Sequence, residues 1–240
     1  MTNMTGHQHP ITQMIAEINE IFSKVGFSFA SGPEAETAHY NFDRLNVPPD
    51  HPSRDMQDTF WFRAEDVSEP TVLRTHTSPV QARYMESHTP PIRIIAPGKV
   101  FRNEATDATH EAQFYQFEGL CVDKEINLGH LKGIIEYFFS EFFHSQVEVR
   151  FRPSFFPFVE PGVEVDMMLV GGESALADRW IEVMGAGMVH PHVLRDSGID
   201  PAVYSGYAFG MGIDRLAVIK YGIDDIRDMY SGDLRFVTQF

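Results

Sequence analysis

Two β-rich runs separated by a polar loop constrain the fold of this chain more than any other feature. The runs cover about residues 93–104 and 113–123, and the sequence Ala-Thr-Asp lies in the loop between them. This pattern is typical of a β-hairpin with a long connection. Three further β-rich runs follow an amphipathic segment. Strands that succeed one another through hairpin-like links predict an antiparallel sheet with helices packed on it, which is an α+β fold.

Helical periodicity marks the elements that cover this sheet. Apolar residues recur at helical spacing over about 11–22 and again over 128–143, where Asn127 supplies a cap. The segment RTHTSPVQARYM (74–85) opens with a Ser/Thr cap pattern and predicts a third helix. Near the C-terminus, a glycine-rich strand turns into a helix over 206–222. We therefore predict one domain over residues 1–240, a length that suits a single large domain.

Charge and cysteine content narrow the partners and the location. The chain has 19 Lys and Arg against 34 Asp and Glu, a net charge of −15. Nucleic-acid binding depends on Lys and Arg that neutralise phosphates, so such a role requires a local basic patch or a second polypeptide. The single cysteine, Cys121, lies in an apolar run and is expected to be buried. The sequence shows no targeting signal or membrane-length apolar run, and we expect a cytoplasmic protein with no membrane partner.

The hairpin carries a row of reactive side chains. Strand alternation places Phe114, Gln116 and Glu118 on one face. Three more side chains border the loop: Arg102, Glu104 and His110. A row of aromatic, amide and carboxylate groups is costly to bury without a ligand or partner groups. Two interpretations stay open at this point: a solvated face with an ion pair between Arg102 and Glu104, or a binding site.

A glycine-rich turn near the C-terminus is a second candidate. Gly210 and Gly212 precede Asp214 and Arg215 at the start of a predicted helix. Glycines allow a ligand to approach the backbone closely, and an arginine at the positive end of a helix suits a phosphate. The alternative is a tight turn in which Arg215 pairs with Asp214.

The segment FFPFVEPG (155–162) is either hydrophobic core or the wall of a pocket. Alternation places Phe155 on the opposite side from Phe156 and Phe158. We expect Phe155 to pack in the core and the other two rings to face a cavity. Pro157 lacks a backbone donor and suits an edge or bulge position.

Taken together, these motifs resemble motifs 2 and 3 of the class II aminoacyl-tRNA synthetases. The matching elements are Phe-Arg-x-Glu, a loop, His-x3-Phe-x3-Glu, and Gly-x-Gly-x-Asp-Arg before an apolar helix, while the opening helix and Pro33 resemble motif 1. The segments RTHTSPVQARYM, RFRPSFFPFVEPGVEVD and MGAGMVHPHVLR resemble more closely the catalytic α subunits of bacterial phenylalanyl-tRNA synthetases. The likeness runs from about residue 9 to the C-terminus. It implies the class II fold, an antiparallel β-sheet flanked by α-helices.

The resemblance implies an enzyme. Members of this family activate L-phenylalanine with ATP and Mg²⁺ to phenylalanyl-adenylate and transfer it to tRNA(Phe). It also implies a β subunit as partner, which we expect to be needed for tRNA charging, and self-association through motif 1. The family's N-terminal coiled-coil arm has no counterpart in this sequence. Two other hypotheses remain: a non-catalytic paralogue that binds phenylalanine, and a stand-alone amino-acid ligase with a non-tRNA acceptor.

The resemblance further implies roles for individual residues. Arg102 and Arg215 match catalytic arginines that grip the α- and γ-phosphates, and Glu160 matches a metal ligand. The implied ATP-binding residues are Arg102, Glu104, His110, Phe114, Glu182 and Arg215. The implied phenylalanine-binding residues are Trp61, His76, Ser78, Gln116, Glu118, Phe156, Phe158, Val159, Ala186, Ala208 and Gly210.

Overall fold

The computed structural model describes residues 6–171 and 177–240, which form two β-sheets and the helices packed on them. The strands are β1 (Ser28–Phe29), β2 (Ala35–Thr37), β3 (Thr71–Leu73), β4 (Ile92–Phe101), β5 (Gln113–Asp123), β6 (Val147–Phe156), β7 (Val159–Leu169), β8 (Ile181–Val189) and β9 (Ser205–Gly212). The α-helices are α1 (Pro10–Ser23), α2 (Ala38–Asn41), α3 (Ser78–Ser87), α4 (Leu128–Phe143), α5 (Pro191–Asp196), α6 (Ile213–Tyr221) and α7 (Leu234–Val237). Short 3₁₀ helices cover Asp43–Leu45, Pro52–Arg54, Ala64–Asp66 and Ile226–Tyr230.

The large sheet has seven strands in the order β1-β4-β5-β9-β8-β7-β6, and the small sheet pairs β2 with β3. The predicted hairpin is β4–β5, in register with Ile94 opposite Leu120. All pairs in the large sheet are antiparallel except β1–β4, which is parallel. A parallel pair needs a long crossover connection, and residues 30–91 between β1 and β4 provide it. The predicted α+β fold is confirmed, with a mixed sheet in place of a purely antiparallel one.

One face of the large sheet is covered by α1, α4 and α6. Phe22 of α1 stacks on Phe138 of α4 at 5.1 Å and on Phe209 of β9 at 5.6 Å between ring centroids. Phe209 fits because β5 has Gly119 beneath it, where an added Cβ would lie 2.1 Å from the Phe209 ring. This aromatic cluster is the main core. Cys121 is buried in the same cluster, as predicted.

Among the described residues, the helices on the opposite face of the sheet pack near its margin. Helices α3 and α5 pack there against apolar side chains of β4, β5 and β8. Alternation along β9 separates the two faces, because Phe209 and Met211 join the main core while Ala208 belongs to the second cluster. The part of this face that the helices leave open positions the cleft described below.

Capping signals in the sequence mark the ends of two of the helices that pack on the core. The Asn127 side chain accepts hydrogen bonds from the amides of Gly129 and His130, and the His130 ring accepts one from the Asn127 amide. This reciprocal arrangement satisfies backbone donors that the first turn of α4 leaves free. Helix α6 ends at Tyr221 and is capped by Gly222, whose φ of 68° is a left-handed conformation that suits glycine.

The prediction that Phe155 packs in the core is wrong. Its side chain is 81% exposed. The β6–β7 register shifts between Ser154 and Phe156, so simple alternation does not hold at this end of the hairpin. Strand β6 is also the last strand of the sheet, and its end has no further strand to cover it.

In the parts of the chain that the structure describes, no helix combines the length and the apolar character needed to cross a lipid bilayer.

Candidate active site

A cleft of about 1140 Å³ lies on the open face of the sheet. Strands β5, β9 and β8 form its floor, the β6–β7 hairpin forms one wall, and the loop between β4 and β5 forms the other. The cleft brings together most of the predicted site residues: His76, Ser78, Arg102, Glu104, His110, Phe114, Gln116, Glu118, Phe156, Phe158, Val159, Glu182, Ala186, Ala208, Gly210 and Arg215. Trp61 and Glu160 are not among its lining residues.

Glu118 is the centre of the buried polar end of the cleft. Its carboxylate accepts hydrogen bonds from the Thr77 amide (2.9 Å), the Ser78 hydroxyl (2.5 Å) and the Gln81 side-chain amide (3.1 Å). Burial raises the pKa of Glu118 above its ordinary value, and the bonds from Ser78 and Thr77 oppose that rise. A buried carboxylate with this environment favours a cationic ligand, because a positive charge would stabilise its ionised form.

Two further polar atoms of the lining residues at this end have no hydrogen-bond partner among the described residues. They are the side-chain oxygen of Gln116 and Nδ1 of His76, and both atoms are buried. Burial, with the nearby Arg102 charge, lowers the pKa of His76 to about 3, so the ring is neutral near pH 7. Buried polar atoms of native proteins are usually paired. These two therefore mark positions where a ligand can supply the missing partner.

Aromatic rings line the cleft beside this polar end. The rings of Phe156 and Phe158 stack at 6.0 Å with an interplanar angle of 22°, and Phe158 stacks on His76 at 6.3 Å. The floor beneath them has small residues, with Ala208 opposite Gly187 across the β8–β9 pair. A slot with aromatic walls and a flat floor suits a planar apolar group.

Arg102 and Phe114 lie together at the open end of the cleft. The Arg102 guanidinium lies 5.1 Å from the centroid of the Phe114 ring, and its Nε donates to the Thr75 carbonyl at 3.4 Å. Arg102 is therefore held over an aromatic face and has no close carboxylate bond to Glu104, in contrast to the surface ion pair that the sequence left open. Burial lowers the pKa of Arg102, yet a guanidinium stays charged near pH 7.

Arg215 lies in the first turn of α6 and lines the same end of the cleft. The neighbouring Asp214 is buried and accepts hydrogen bonds from the Tyr115 amide (2.8 Å) and the Tyr230 hydroxyl. Burial raises the pKa of Asp214. Asp214 thus connects the start of α6 to β5 and to the 3₁₀ helix Ile226–Tyr230. The structure does not adopt the alternative in which Asp214 pairs with Arg215. The Arg215 side chain is exposed and is left to meet an anion.

The loop between β4 and β5 has its own internal order. Asp107 accepts hydrogen bonds from the backbone amides of Thr109 (2.7 Å) and His110 (2.8 Å) and from the His110 ring at 3.0 Å. These bonds lower the pKa of Asp107. The Ala108 carbonyl accepts from the Ile226 amide at 3.1 Å, so the loop is attached to the C-terminal 3₁₀ helix. His110 is held at the cleft by this arrangement.

A charge network joins the hairpin wall to the cleft. Arg152 of β6 donates two bonds to buried Asp166 and one to Glu182 at 2.7 Å, and it pairs with Glu164 at 2.9 Å. Glu164 and Glu182 line the cleft. The Arg152 guanidinium contacts three carboxylates and therefore partly neutralises the acidic side of the cleft. Arg102 and Arg215 lie elsewhere along the cleft lining.

Comparison with known proteins identifies the family. The family model of the class II core domain (F) of tRNA synthetases matches residues 2–240. The alpha subunit of phenylalanine–tRNA ligase from Alkaliphilus metalliredigens is 54% identical over 244 residues, which cover 100% of this chain and 70% of that protein. Those from Caldanaerobacter subterraneus and Pseudomonas fluorescens are each 52% identical over 98% of this chain and cover 69% and 70% of the relatives.

The chain belongs to the phenylalanine–tRNA ligase alpha-subunit family of class II tRNA synthetases. The family predicted from the motifs is therefore confirmed. Among solved structures, pyrrolysyl-tRNA synthetase from Desulfitobacterium hafniense superimposes with a TM-score of 0.68, covering 93% of this chain and 74% of that chain. The two sequences are 19% identical, so this likeness supports the class II fold alone.

Two predicted residues, Trp61 and Glu160, do not line the cleft, and a third, Ala186, has a second environment. Trp61 stacks on Phe42 at 6.0 Å and donates from its indole to the Arg54 carbonyl, in a satellite cluster. Glu160 is 72% exposed and contacts His190 at 3.2 Å. Ala186 lines the cleft but is also part of the main core. Their roles stay predictions.

The sequence did not single out two residues that organise the polar end. Gln81 donates a hydrogen bond to Glu118, and it follows Ser78 by three residues on α3. Residues at this spacing lie on the same side of a helix, so the spacing could have indicated that Gln81 faces the site. Arg74 is buried and donates to the carbonyls of Lys99 (2.7 Å) and Gly32 (3.1 Å). Because Arg74 acts through contacts far along the chain, no local pattern indicated it. It joins the segment around Gly32 and Pro33 to β4.

Proposed function

We propose that the chain is the catalytic subunit of a phenylalanine–tRNA ligase, with residues 1–240 as its catalytic domain. It condenses L-phenylalanine with ATP to phenylalanyl-adenylate and pyrophosphate, then transfers the phenylalanyl group to the terminal ribose of tRNA(Phe). The observation that carries the proposal is one cleft with a buried acceptor-rich end, an aromatic slot and two arginines. Family membership supports the same reaction.

The amino acid binds with its ammonium at the polar end and its ring in the slot. Glu118 and the unpaired Gln116 oxygen are acceptors, as an ammonium donor requires. Phe156 and Phe158 meet the substrate ring, and an aromatic pair contributes about 0.5–1.5 kcal/mol beyond buried area. Ala208 on the floor leaves room for the end of the ring, so a bulkier residue there excludes it.

ATP occupies the open end. Its adenine stacks on Phe114, which already holds the Arg102 guanidinium on one face. An oxygen of the substrate carboxylate attacks the α-phosphorus, and the bond from that phosphorus to the pyrophosphate oxygen breaks. Arg102 stabilises the charge that develops on the α-phosphate, and Arg215 binds the γ-phosphate. Glu104 and His110 hold the nucleotide from the loop.

Enzymes of this class use ATP with Mg²⁺. Mg²⁺ prefers oxygen ligands and is usually bound by one or two carboxylates together with substrate phosphates. The described residues contain no group of three or more acidic, His or Cys side chains arranged to hold a metal. Glu182 faces the cleft, and while one of its carboxylate oxygens pairs with Arg152, the other would be available to Mg²⁺ bound to ATP. At Glu160, beside His190, a metal requires further ligands from water or from another chain.

Partners follow from the family. The relatives are alpha subunits, and we propose a β subunit as the obligatory partner for charging, with self-association through the opening helix and Pro33, which resemble motif 1. A cytoplasmic location is consistent with such a role in protein synthesis.

Phenylalanine-dependent exchange between ATP and pyrophosphate, measured with a β subunit present, tests the proposal. We expect exchange with phenylalanine and charging of tRNA(Phe). Phenylalanine binding without exchange in a folded protein would favour the non-catalytic paralogue. Exchange without charging of tRNA, but with transfer to a small acceptor, would favour the stand-alone ligase.

A further inference from the structure

The ring of Phe156 reaches across β7 and lies directly over Gly185 of β8. A Cβ built on Gly185 would be 2.9 Å from Cζ of Phe156, 3.3 Å from Cε2 and 3.5 Å from Cε1. The nearest atoms to that position therefore all belong to one ring. Gly162 of β7 also lies beneath the ring, since its added Cβ would be 3.4 Å from Cδ2 of Phe156. The ring rests on a floor of glycine backbone.

Gly185 differs from the neighbouring glycines in what a side chain would meet. A Cβ at Gly187 would be 2.5 Å from the Pro161 carbonyl oxygen, and one at Gly162 would be 2.8 Å from the Ser154 carbonyl oxygen. Those contacts involve backbone and would strain the sheet. At Gly185 the contact is with the end of a side chain that can rotate, so the sheet can accept a methyl group if Phe156 moves.

The direction of that movement is set by the surroundings. Strand β8 closes the space beneath the ring, and Phe158 stacks beside it at 6.0 Å. Phe156 lines the cleft, so a ring that leaves the floor enters the space where the substrate ring is proposed to bind.

We propose that Gly185 is a specificity-determining positioning residue. Its missing side chain lets the Phe156 ring rest against β8, and this sets the width of the slot for an aromatic amino acid. The inference rests on the proposed function, because it concerns the phenylalanine subsite of the same cleft. Gly185 acts on the substrate through Phe156.

Gly185→Ala tests this directly in the αβ enzyme. Because one methylene in an apolar pocket alters discrimination by about tenfold or more, we expect the KM for phenylalanine to rise by about tenfold. The KM for ATP should change less than about twofold, since the nucleotide end does not contact this ring. The melting temperature should stay near that of the parent protein.

A second variant separates a role through Phe156 from a general packing effect. Phe156→Leu removes the ring that the new methyl group meets. In this background we expect Gly185→Ala to have little further effect on the KM for phenylalanine. Gly133→Ala is the matched control, because Gly133 lies on α4 with no neighbouring heavy atom within 4 Å of the added Cβ.

Several results would overturn the proposal. They are an unchanged KM for phenylalanine in folded Gly185→Ala, an equal rise in the KM for ATP, or additive effects of the two substitutions. A crystal structure of Gly185→Ala gives a readout that does not need activity: an unmoved Phe156 ring contradicts the proposal. If the parent enzyme shows no phenylalanine-dependent exchange, the proposed function fails, and the position of Phe156 in that structure still decides whether Gly185 holds the ring.

Discussion

At the scale of single residues, the Arg102 side chain carries a charge and makes few contacts that the fold needs. Its guanidinium lies over Phe114, and the bond that the guanidinium donates to the Thr75 carbonyl is long, at 3.4 Å. We expect Arg102→Ala to leave the fold intact and to lower the rate of phenylalanyl-adenylate formation by about two to three orders of magnitude, the usual loss when one donor to a transition-state charge is removed.

Pyrophosphate exchange and circular dichroism check this expectation. Arg63→Ala is a suitable control, because the Arg63 side chain is 81% exposed and its contact with Glu65 is 3.9 Å. Normal exchange in Arg102→Ala would show that the motif 2 assignment is incorrect.

Glu118 should make phenylalanine binding depend on pH. Burial raises its pKa above the ordinary 4.5, so a protonated fraction persists above pH 4.5. The neutral acid is a poorer partner for an ammonium, and we expect phenylalanine affinity to increase as the pH rises through the raised pKa, with release of a proton on binding. The effect on stability has the opposite sign. The raised pKa of Glu118 stabilises the folded state relative to the unfolded state below pH 4.5, and this stabilisation is lost as the pH rises and Glu118 ionises in the folded protein.

Calorimetric titration with phenylalanine in two buffers of different ionisation enthalpy measures both the affinity and the proton release. Glu118→Gln should bind weakly at every pH, while Glu136→Gln, an exposed change on α4, should keep the pH dependence. An affinity of the parent protein that does not vary above pH 4.5 would contradict the role given to Glu118.

At the scale of elements, the cap of α4 supports the helix that carries much of the core. Asn127→Ala removes the acceptor of the Gly129 and His130 amides. We expect a loss of about 1 kcal/mol in the free energy of unfolding, which corresponds to about 2–4 °C in melting temperature for a domain of this size. Differential scanning calorimetry measures it. Asn127→Asp keeps an acceptor and should retain most of the stability, so an equal loss in both variants would argue against the cap.

At the scale of the whole molecule, a net charge of −15 opposes the binding of a polyanion. We expect the 240-residue chain alone to bind tRNA(Phe) much more weakly than its complex with a β subunit at physiological ionic strength, about 0.15 M. Fluorescence anisotropy of labelled tRNA measures the two affinities, with the β subunit alone as the control. Equal affinities for the isolated chain and the complex would contradict the expectation that the partner provides the basic surface.

Local signals predicted a large part of the fold. The β4–β5 hairpin, the cap at Asn127 and the strand-to-helix turn at Gly212 depend on residues close together in sequence, and the structure contains each of them. The motif set also predicted the family. Periodicity failed at Phe155, because a shift in strand register changes which side chains face inward and such a shift depends on the partner strand.

What the sequence determined by itself was the order of the main elements and the fold class, which follow from periodicity and caps, and the family, which the resemblance of its motifs implied. Only the tertiary structure decided how the site is held. Glu118 is bonded by residues about 40 positions away, and Gly185 lies beneath a ring from two strands along the sheet. The physical reason is that hydrogen bonds and packing act over a few ångströms in space, whatever the separation along the chain, so the contacts that shape the cleft exist only once the strands have paired.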